Sequence, residues 1–400
     1  MRRLAVAAAV AVAACTSPGT HAPAHARIAW VVIAPHPDDE TLIASGVLAR
    51  AREAGEDVAV IVMTNGDYDC VHDGLRRQRE SLAGLAALGV PEDRVFFLGY
   101  PDGFLSSLGR TPLPPPKRIT QGACARGGTT YGDWHQKHYG APAIYTRENA
   151  VADLAELLGE LAPRDVAITH PHDTHPDHAT TYALFRDAAD RVPDKPRVHR
   201  ALVHNGDCWP NGAEAHEPCA PTVIGPSRPT PPPTGMLSGY VARERLPVPA
   251  SCLLEDRTRN KKLRAIAAHA SQTRALPDSY LFGFARSDEM FFPETLAKRP
   301  ARNVTPVRAG RSGARVTAGG LVLDLDATRK EARLSRGSVL LKTWPLPHDL
   351  WGDVAEEDFE LAIDPRPEDG PVREVSLRWG GRLIGVAIDV SASPSARPAP

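Results

Sequence analysis

The sequence has no excess of charge of either sign, because 47 lysine and arginine residues are balanced by 48 aspartate and glutamate residues. A protein that binds nucleic acid or an anionic membrane surface carries an excess of basic residues, which this balance does not provide. The 32 glycines follow no triplet period, which excludes collagen. With 42% hydrophobic and 24% charged residues, we expect a globular protein that has no nucleic-acid partner.

The sequence also has no apolar run of the ~20 residues that a membrane-spanning helix needs. Arg2 and Arg3 precede a shorter apolar run over residues 4–14, which is typical of a signal peptide. Residues 12–15 (VAAC) resemble a bacterial lipobox, in which Cys15 would be lipidated and become the mature N-terminus. The alternative is soluble secretion after cleavage behind Ala26. Either alternative exports the protein, and a lipid anchor at Cys15 is the only membrane attachment that we expect.

The six cysteines form no C-x-x-C pair, so a thiolate metal site has no support. In an exported protein the compartment is oxidising and cysteines can pair. Cys208 and Cys219 are the nearest pair in the sequence and flank a loop rich in proline and glycine. We therefore predict a disulfide between these two residues.

Strand and helix patterns alternate along the first 204 residues. Residues 28–34 (IAWVVIA) form a continuous apolar run, which is typical of a strand buried on both faces of a parallel sheet. A helix is predicted over 41–52 and a second strand over 57–64, and this unit then repeats. The pattern predicts an α/β fold, a Rossmann-like three-layer sandwich with a mostly parallel sheet, whose ligands bind beyond the carboxyl ends of the strands.

The character of the sequence changes after about residue 302, where short strands and a Gly380-Gly381 hairpin signal predict a small C-terminal antiparallel β module. We divide the chain into a signal peptide and linker (1–26), the α/β domain (27–300), the β module (301–391) and a disordered tail (392–400). Within the α/β domain, a long segment over 100–145 is either a surface excursion or a functional loop. In the second case Trp134, His135 and His138 would form walls of a pocket.

Two clusters of polar residues follow predicted strands. The first is residues 36–40 (HPDDE), in which three carboxylates beside an imidazole would repel one another without a nearby positive charge. The second cluster lies within residues 170–178 and consists of His170, His172, Asp173, His175, Asp177 and His178. Both clusters lie at the same edge of the sheet, so they can share one metal ion. Nitrogen and oxygen ligands without thiolate favour Zn²⁺ with an open position for water.

Both clusters resemble the paired motifs of one family. Residues 34–42 (APHPDDETL) and 171–178 (PHDTHPDH) resemble those of the LmbE-like or PIG-L family of zinc-dependent de-N-acetylases. Residues 98–103 (LGYPDG) and 262–272 (KLRAIAAHASQ) resemble secondary motifs of the family, in the same order. The resemblance spans about residues 28–297 and leaves the β module outside.

The resemblance implies a role for each matching residue. His36, Asp39 and His178 would bind Zn²⁺, Asp38 would be the general base, and His175 would stabilise the oxyanion. These assigned roles agree with general chemistry, because zinc activates water and polarises an amide carbonyl while a carboxylate transfers the proton.

Three further residues receive roles that stay open. Arg77 and Asp102 would contact sugar hydroxyls by analogy with the family, or they are salt-bridge residues of the fold. Asp177 would be a second-shell carboxylate that orients or charges His175, or it caps a helix.

We therefore expect an exported zinc-dependent hydrolase that removes acetyl from an N-acetylglucosamine-type sugar, glycan or glycoconjugate. Two alternatives remain at this point. The first is a non-catalytic carbohydrate-binding lipoprotein, and the second is an amidase that acts on another N-acyl conjugate.

Overall fold

The computed structural model describes residues 28–68, 71–109, 112, 133–205, 209–210, 224–230, 243–274, 280–296, 303–346, 356–365, 373–379 and 382–389. The signal peptide, Cys15, the predicted Cys208–Cys219 disulfide, the Gly380-Gly381 turn and the tail lie outside these residues. Among the residues that the structure describes, no helix has both the length and the apolar character to cross a membrane.

A seven-stranded sheet forms the centre of the α/β domain. Its strands are β1 (Trp30–Ala34), β2 (Val58–Thr64), β3 (Val95–Tyr100), β4 (Asp165–Thr169), β5 (Arg197–Ala201), β6 (Glu244–Pro247) and β7 (Asp288–Thr295). Their order is β3-β2-β1-β4-β5-β7-β6. The first five strands are parallel, whereas β7 is antiparallel to β5 and β6 is antiparallel to β7. The predicted mostly parallel sheet is therefore confirmed.

Helices cover both faces of this sheet. They are α1 (Asp39–Glu53), α2 (Val71–Leu88), α3 (Trp134–Tyr139), α4 (Arg147–Leu161), α5 (Pro176–Ala189), α6 (Lys261–Ala268) and α7 (Ala270–Thr273). Side chains of β1 alternate between the two faces: Val32 packs into the core with α1, α2 and α6, while Val31 and Ile33 pack into the core with α4 and α5. The two cores make the three-layer sandwich that the alternating pattern predicts.

The C-terminal module is a sandwich of two antiparallel four-stranded sheets. Its strands are β8 (Asn303–Gly310), β9 (Ala314–Ala318), β10 (Leu321–Asp326), β11 (Glu331–Arg336), β12 (Val339–Pro345), β13 (Glu356–Pro365), β14 (Arg373–Trp379) and β15 (Arg382–Asp389). One sheet has the order β12-β11-β10-β9 and the other β15-β14-β13-β8. Leu323 and Leu334 of the first sheet share a buried core with Phe359 and Leu377 of the second. The predicted antiparallel module is confirmed.

Candidate metal centre and active site

The two polar clusters meet because β1 and β4 are parallel neighbours in the sheet. Ile33 of β1 pairs with Ile168 of β4, so the segments that follow these strands leave the sheet at the same edge. Helix α1 begins at Asp39 and helix α5 at Pro176, which places each cluster in the turn between a strand and a helix. The carboxyl edge of a parallel sheet is the usual place of ligand sites in α/β folds.

Three atoms of the predicted zinc ligands form a compact triangle. Asp39 Oδ2 lies 3.0 Å from His36 Nδ1 and 3.2 Å from His178 Nε2. The two imidazole nitrogens lie 3.2 Å from each other. Ligand atoms around a tetrahedral zinc ion at 2.0–2.1 Å are separated by about 3.3 Å. The donor set and its spacing therefore fit one face of a zinc coordination tetrahedron.

The electrostatics of the triangle also fit a cation. Although burial opposes the charged form, the carboxylates of Asp39 and Asp173 raise the pKa of His178 to about 10. Burial likewise opposes the charge on Asp39, but His178 and His36 hold the pKa of that carboxyl well below its usual value. The buried carboxylates thus favour positive charge at the two imidazoles, and a metal ion supplies such charge in exchange for protons.

Carboxylates contact the remaining nitrogens of both imidazoles. His36 Nε2 lies 3.2 Å from Asp102 Oδ1 and 3.3 Å from Asp177 Oδ2. His178 Nδ1 lies 3.3 Å from Asp173 Oδ2. Metal-binding histidines are commonly oriented in this way, because a carboxylate on the second nitrogen fixes the tautomer and increases ligand basicity.

Asp177 connects this centre to the segment that follows β3. Its fully buried carboxylate accepts N–H bonds from Gly103 at 2.7 Å and Leu105 at 3.0 Å, in addition to its contact with His36. The side chain therefore lies against His36, and only the backbone N–H of Asp177 bonds to His175, at Nδ1 and 3.2 Å. The expected partner was His175, whereas the Asp177 carboxylate contacts His36 in the structure.

Asp38 lies beside the triangle in a strained backbone conformation. Its φ of 153° and ψ of −35° are outside the regions that L-residues usually adopt, and such strain is concentrated at functional sites. Arg77 Nη2 lies 3.3 Å from the Asp38 carboxylate. Burial raises the pKa of Asp38 to about 6 although Arg77 opposes the shift. A carboxyl group with this pKa can exchange a proton near neutral pH.

Arg77 and Asp102 form a salt bridge at the cavity, and their contact with sugar hydroxyls stays a prediction. Arg77 Nη1 lies 3.0 Å from Asp102 Oδ2, so the two residues form a salt bridge. Both side chains also line the cavity above the triangle. Since Arg77 bonds to Asp38 and Asp102 contacts His36, this ion pair joins the predicted base to the metal centre.

His175 has a defined tautomer in this arrangement. Its Nδ1 accepts the backbone N–H of Asp177, which leaves the proton of a neutral ring on Nε2. Burial and the neighbouring His36 and His178 lower the pKa of His175 to about 4. At neutral pH the ring is thus a neutral N–H donor at the cavity wall, the state that can donate a hydrogen bond to an oxyanion.

The cavity has a volume of about 510 Å³, which is within the usual range for small-molecule sites. Charged residues line part of it, namely Arg77, Asp102, Asp73 and Arg76. Less polar residues also line it, namely Leu42, His204, Tyr280 and Leu281. The site can therefore hold a ligand that has both hydroxyl groups and a small apolar group.

Both polar clusters lie within a match to a known protein family. The family model of the PIG-L proteins, described as GlcNAc-PI de-N-acetylase, matches residues 31–189. The resemblance predicted from the motifs is confirmed, and the β module lies outside the matched residues.

Curated relatives that this chain matches are named 1D-myo-inositol 2-acetamido-2-deoxy-alpha-D-glucopyranoside deacetylase. A protein of this name from Saccharopolyspora erythraea is 32% identical over 185 residues, which are 43% of this chain and 56% of the relative. One from Corynebacterium jeikeium is 48% identical over 196 residues, or 43% of this chain and 54% of the relative. The chain thus spans about half the length of these two relatives.

Comparison with solved structures finds N,N'-diacetylchitobiose deacetylase from Pyrococcus horikoshii. The alignment covers 66% of this chain and 83% of that structure, with 17% identity and a TM-score of 0.39. The antibiotic A40926 pseudoaglycone deacetylase covers 67% of this chain and 97% of its own, with 19% identity and a TM-score of 0.40.

Three residues at the site have no role assigned from the sequence. Asp173 belongs to the second polar cluster, and its carboxylate bonds to the backbone N–H of Val203 at 2.8 Å and contacts His178. His204 lines the cavity from just after β5, and Tyr280 lines it from the 3₁₀ turn Tyr280–Phe284. His204 carries one signal, because it is the last residue of the alternating strand and helix pattern, whereas no local pattern marks Tyr280.

The three side chains predicted as pocket walls do not line this cavity. Trp134, His135 and His138 lie on α3, and none of them is among the cavity residues of the described chain. Trp134 is buried in the core with α4 and α5. His135 Nδ1 lies 2.7 Å from the Asp153 carboxylate on α4, so the histidine packs against that helix.

Proposed function

We propose that this protein is a zinc-dependent hydrolase that removes acetyl from an N-acetylglucosamine-type sugar, glycan or glycoconjugate. The observation that carries the proposal is the triangle of His36, Asp39 and His178 beside the Asp38 carboxylate at one cavity. A set of ligand atoms with an adjacent buried carboxylate is the arrangement that metal-assisted amide hydrolysis requires.

Each residue has one task in the proposed reaction. Zinc, when bound, lowers the pKa of water towards ~7 and polarises the amide carbonyl. Asp38 takes the proton of the attacking water and passes it to the nitrogen as the C–N bond breaks, which gives acetate and a free amine. His175 donates its Nε2 proton in a hydrogen bond to the oxygen on which negative charge develops.

The substrate class rests on the relatives and on the cavity. The relatives are named for deacetylation of an inositol 2-acetamido-2-deoxyglucoside. In this chain the lining residues Arg77 and Asp102 offer donors and acceptors to sugar hydroxyls, and the lining residues Leu42 and Leu281 offer apolar contacts to an acetyl methyl group.

A carbohydrate-binding protein without turnover is the less favoured function. Binding alone does not require a strained carboxylate such as Asp38 next to three ligand atoms, because strain costs stability and persists where it serves a reaction. An amidase for a different N-acyl conjugate would use the same residues and differ only in the acyl group that it accepts.

We also propose that the protein is exported, either as a lipoprotein with its lipid on Cys15 or as a soluble secreted protein. The support is the pair Arg2 and Arg3, the short apolar run after them and the cysteine that follows it. An exported enzyme encounters glycans, glycoconjugates and secreted amino-sugar metabolites.

The test combines metal analysis with an acetate-release assay over a panel of N-acetylated sugars and N-acyl amines. We expect about one zinc per chain, acetate release from N-acetyl sugars, loss of activity with a chelator and recovery when Zn²⁺ is added. Full activity in metal-free protein would contradict the proposal. Tight sugar binding without acetate release would favour the binding protein, and release of other acyl groups alone would favour the amidase.

A further inference from the structure

Tyr280 directs a hydroxyl group towards the metal centre from a separate part of the chain. The residue begins the 3₁₀ turn Tyr280–Phe284, its ring packs against the core between α1 and α6, and it lines the cavity. The Phe284 ring lies 6.0 Å from the Tyr280 ring in an edge-to-face arrangement. The aromatic ring is thus held by apolar contacts, while its polar end faces the site.

His204 is the hydrogen-bond partner of this hydroxyl in the described part of the chain, with 3.4 Å between Nδ1 and the tyrosine oxygen. The imidazole lies 4.8 Å from the His178 ring and 5.3 Å from the His175 ring, measured between centroids. Its backbone is fixed, because its N–H bonds to Asp173 at 3.0 Å and its carbonyl accepts the N–H of Thr174 at 2.9 Å. His204 therefore connects Tyr280 to the metal centre.

The charges around Tyr280 keep its hydroxyl protonated. Burial and the nearby carboxylates of Asp38, Asp39 and Asp173 raise the pKa of Tyr280 above its usual value. The His204 Nδ1 that faces the tyrosine oxygen can carry the proton of a neutral imidazole ring. A neutral imidazole can donate one proton to the tyrosine oxygen, which leaves the tyrosine proton for another acceptor.

The geometry points to Tyr280 as a substrate-contacting residue whose hydroxyl, oriented by His204, donates a hydrogen bond to the substrate bound in the cavity that both residues line. The inference rests on the proposed deacetylase function and adds a residue to it. The contact with His204 is long for an O–H···N bond, so the hydroxyl retains capacity for a second and stronger partner. No motif discussed above includes either residue.

The first test compares Tyr280→Phe with the parent protein, with Tyr145→Phe as the matched control. Tyr145 packs against the core on the other face of the sheet and does not line the cavity. We expect Tyr280→Phe to lower kcat/KM for N-acetylglucosamine about 10- to 100-fold, while zinc content and Tm stay unchanged. A loss of this size is expected when one hydrogen-bond donor to a charged group, or to an atom on which charge develops, is removed. Tyr145→Phe should stay within about twofold. A Tyr280→Phe enzyme within twofold of the parent, or one that has lost its zinc, would overturn the assignment.

The second test asks whether His204 acts through Tyr280 as a positioning residue. His204→Leu should lower kcat/KM about as much as Tyr280→Phe, and the double variant should show no further loss. His204→Asn keeps a polar atom near the position of Nδ1 and should recover much of the rate. Additive losses in the double variant, or no recovery with asparagine, would contradict the coupling of the two residues.

A binding measurement separates this inference from the proposed function. Equilibrium affinity for N-acetylglucosamine is measured by calorimetry for the parent and for Tyr280→Phe. If the parent binds the sugar but releases no acetate, the proposed function fails, and a weaker affinity of Tyr280→Phe still supports the contact. Equal affinities together with equal rates overturn the contact, and a parent that neither binds nor cleaves the sugar overturns both proposals.

Discussion

His36 Nδ1 and His178 Nε2 lie 3.2 Å apart although 142 positions of the chain separate the two residues. Both rings are buried, and Asp39 Oδ2 lies close to both nitrogens. Two imidazole nitrogens at this distance cannot both carry protons without repulsion, and a cation placed between them and the carboxylate removes this conflict. The pairing of β1 with β4 is what brings the two residues together.

Replacing any one of these three residues should release the metal. We expect His36→Ala, Asp39→Ala and His178→Ala each to lower zinc content from about one per chain to a small fraction, because each removes one of three protein ligands. His72→Ala is the matched control, since its side chain is 69% exposed on α2. Elemental analysis after dialysis against a weak chelator checks this result. Zinc retained at the level of the control in all three variants would contradict the assignment.

Zinc affinity should fall as pH falls. In the metal-free protein the carboxylates around His178 raise its pKa to about 10, although burial opposes the charge. The imidazole is therefore protonated in the metal-free state near neutral pH, and zinc must displace that proton. Each displaced proton weakens binding about tenfold for every pH unit lowered. Competition against a chelator of known proton affinity between pH 6.5 and 7.5 measures the slope, and a flat profile would disagree with the charge distribution described here.

The carboxylate of Asp177 should support metal binding through His36 and the segment after β3. Asp177→Asn keeps the size of the side chain but weakens its contacts with His36 Nε2 and with the N–H groups of Gly103 and Leu105. We expect zinc affinity to fall about 10- to 100-fold, as for other carboxylates that orient a metal-binding histidine. Asp187→Asn on the same helix is the control, because Asp187 pairs with Arg147 away from the cavity. Equal zinc affinity of the two variants would show that Asp177 has no such role.

The parts of the site that the sequence predicts are those carried by single strand-to-helix segments. Residues 36–40 and 170–178 each follow a buried strand, and adjacent parallel strands place such segments together without further information. Tyr280 could not be found in this way, because its position depends on how a 3₁₀ turn packs against α1 and α6. The same limit applies to His204 and to the link between Asp173 and Val203, which depend on the pairing of β4 with β5.

The strands and helices also differ in whether the local sequence predicts them. Strand β1 was predictable because both of its faces are buried and its sequence is uniformly apolar. Strands β9 and β11 were not predicted, because β9 is buried only in part and β11 (EARLSR) contains three charged residues. Helices α6 and α7 are separate although they follow each other directly, since His269 leaves helical geometry with φ −77° and ψ 58°. Its buried ring lies 3.5 Å from Glu40, a tertiary contact that local propensity does not encode.

Export should depend on the N-terminal residues and not on the catalytic domain. In a bacterial host that processes lipoproteins, Cys15→Ser should move the protein from the membrane fraction to the soluble exported fraction without a change in acetate release per molecule. Fractionation followed by mass spectrometry of the N-terminus checks this result. If the parent protein is already soluble outside the cell and begins at residue 27, cleavage after Ala26 is the correct alternative.

Asp38→Asn should separate proton transfer from metal binding. The variant keeps the size of the side chain and leaves His36, Asp39 and His178 in place, so zinc content should remain near one per chain. Without a carboxylate to take the proton of the attacking water, the rate of acetate release should fall by roughly 10² to 10⁴. Asp39→Asn is the matched comparison, because the same chemical change one residue away should remove the metal as well as the activity.

The comparison of these two neighbouring substitutions decides which of Asp38 and Asp39 is the general base and which is the zinc ligand. Their backbones differ, since Asp38 has φ 153° before the helix and Asp39 is the first residue of α1. Because of this difference, the Asp39 side chain points towards the two imidazoles, and the Asp38 side chain points towards Arg77 and the cavity. If Asp38→Asn loses zinc while Asp39→Asn keeps it, the two roles are exchanged. If Asp38→Asn keeps both zinc and full rate, the base is a different residue, and the Asp38 strain needs another explanation.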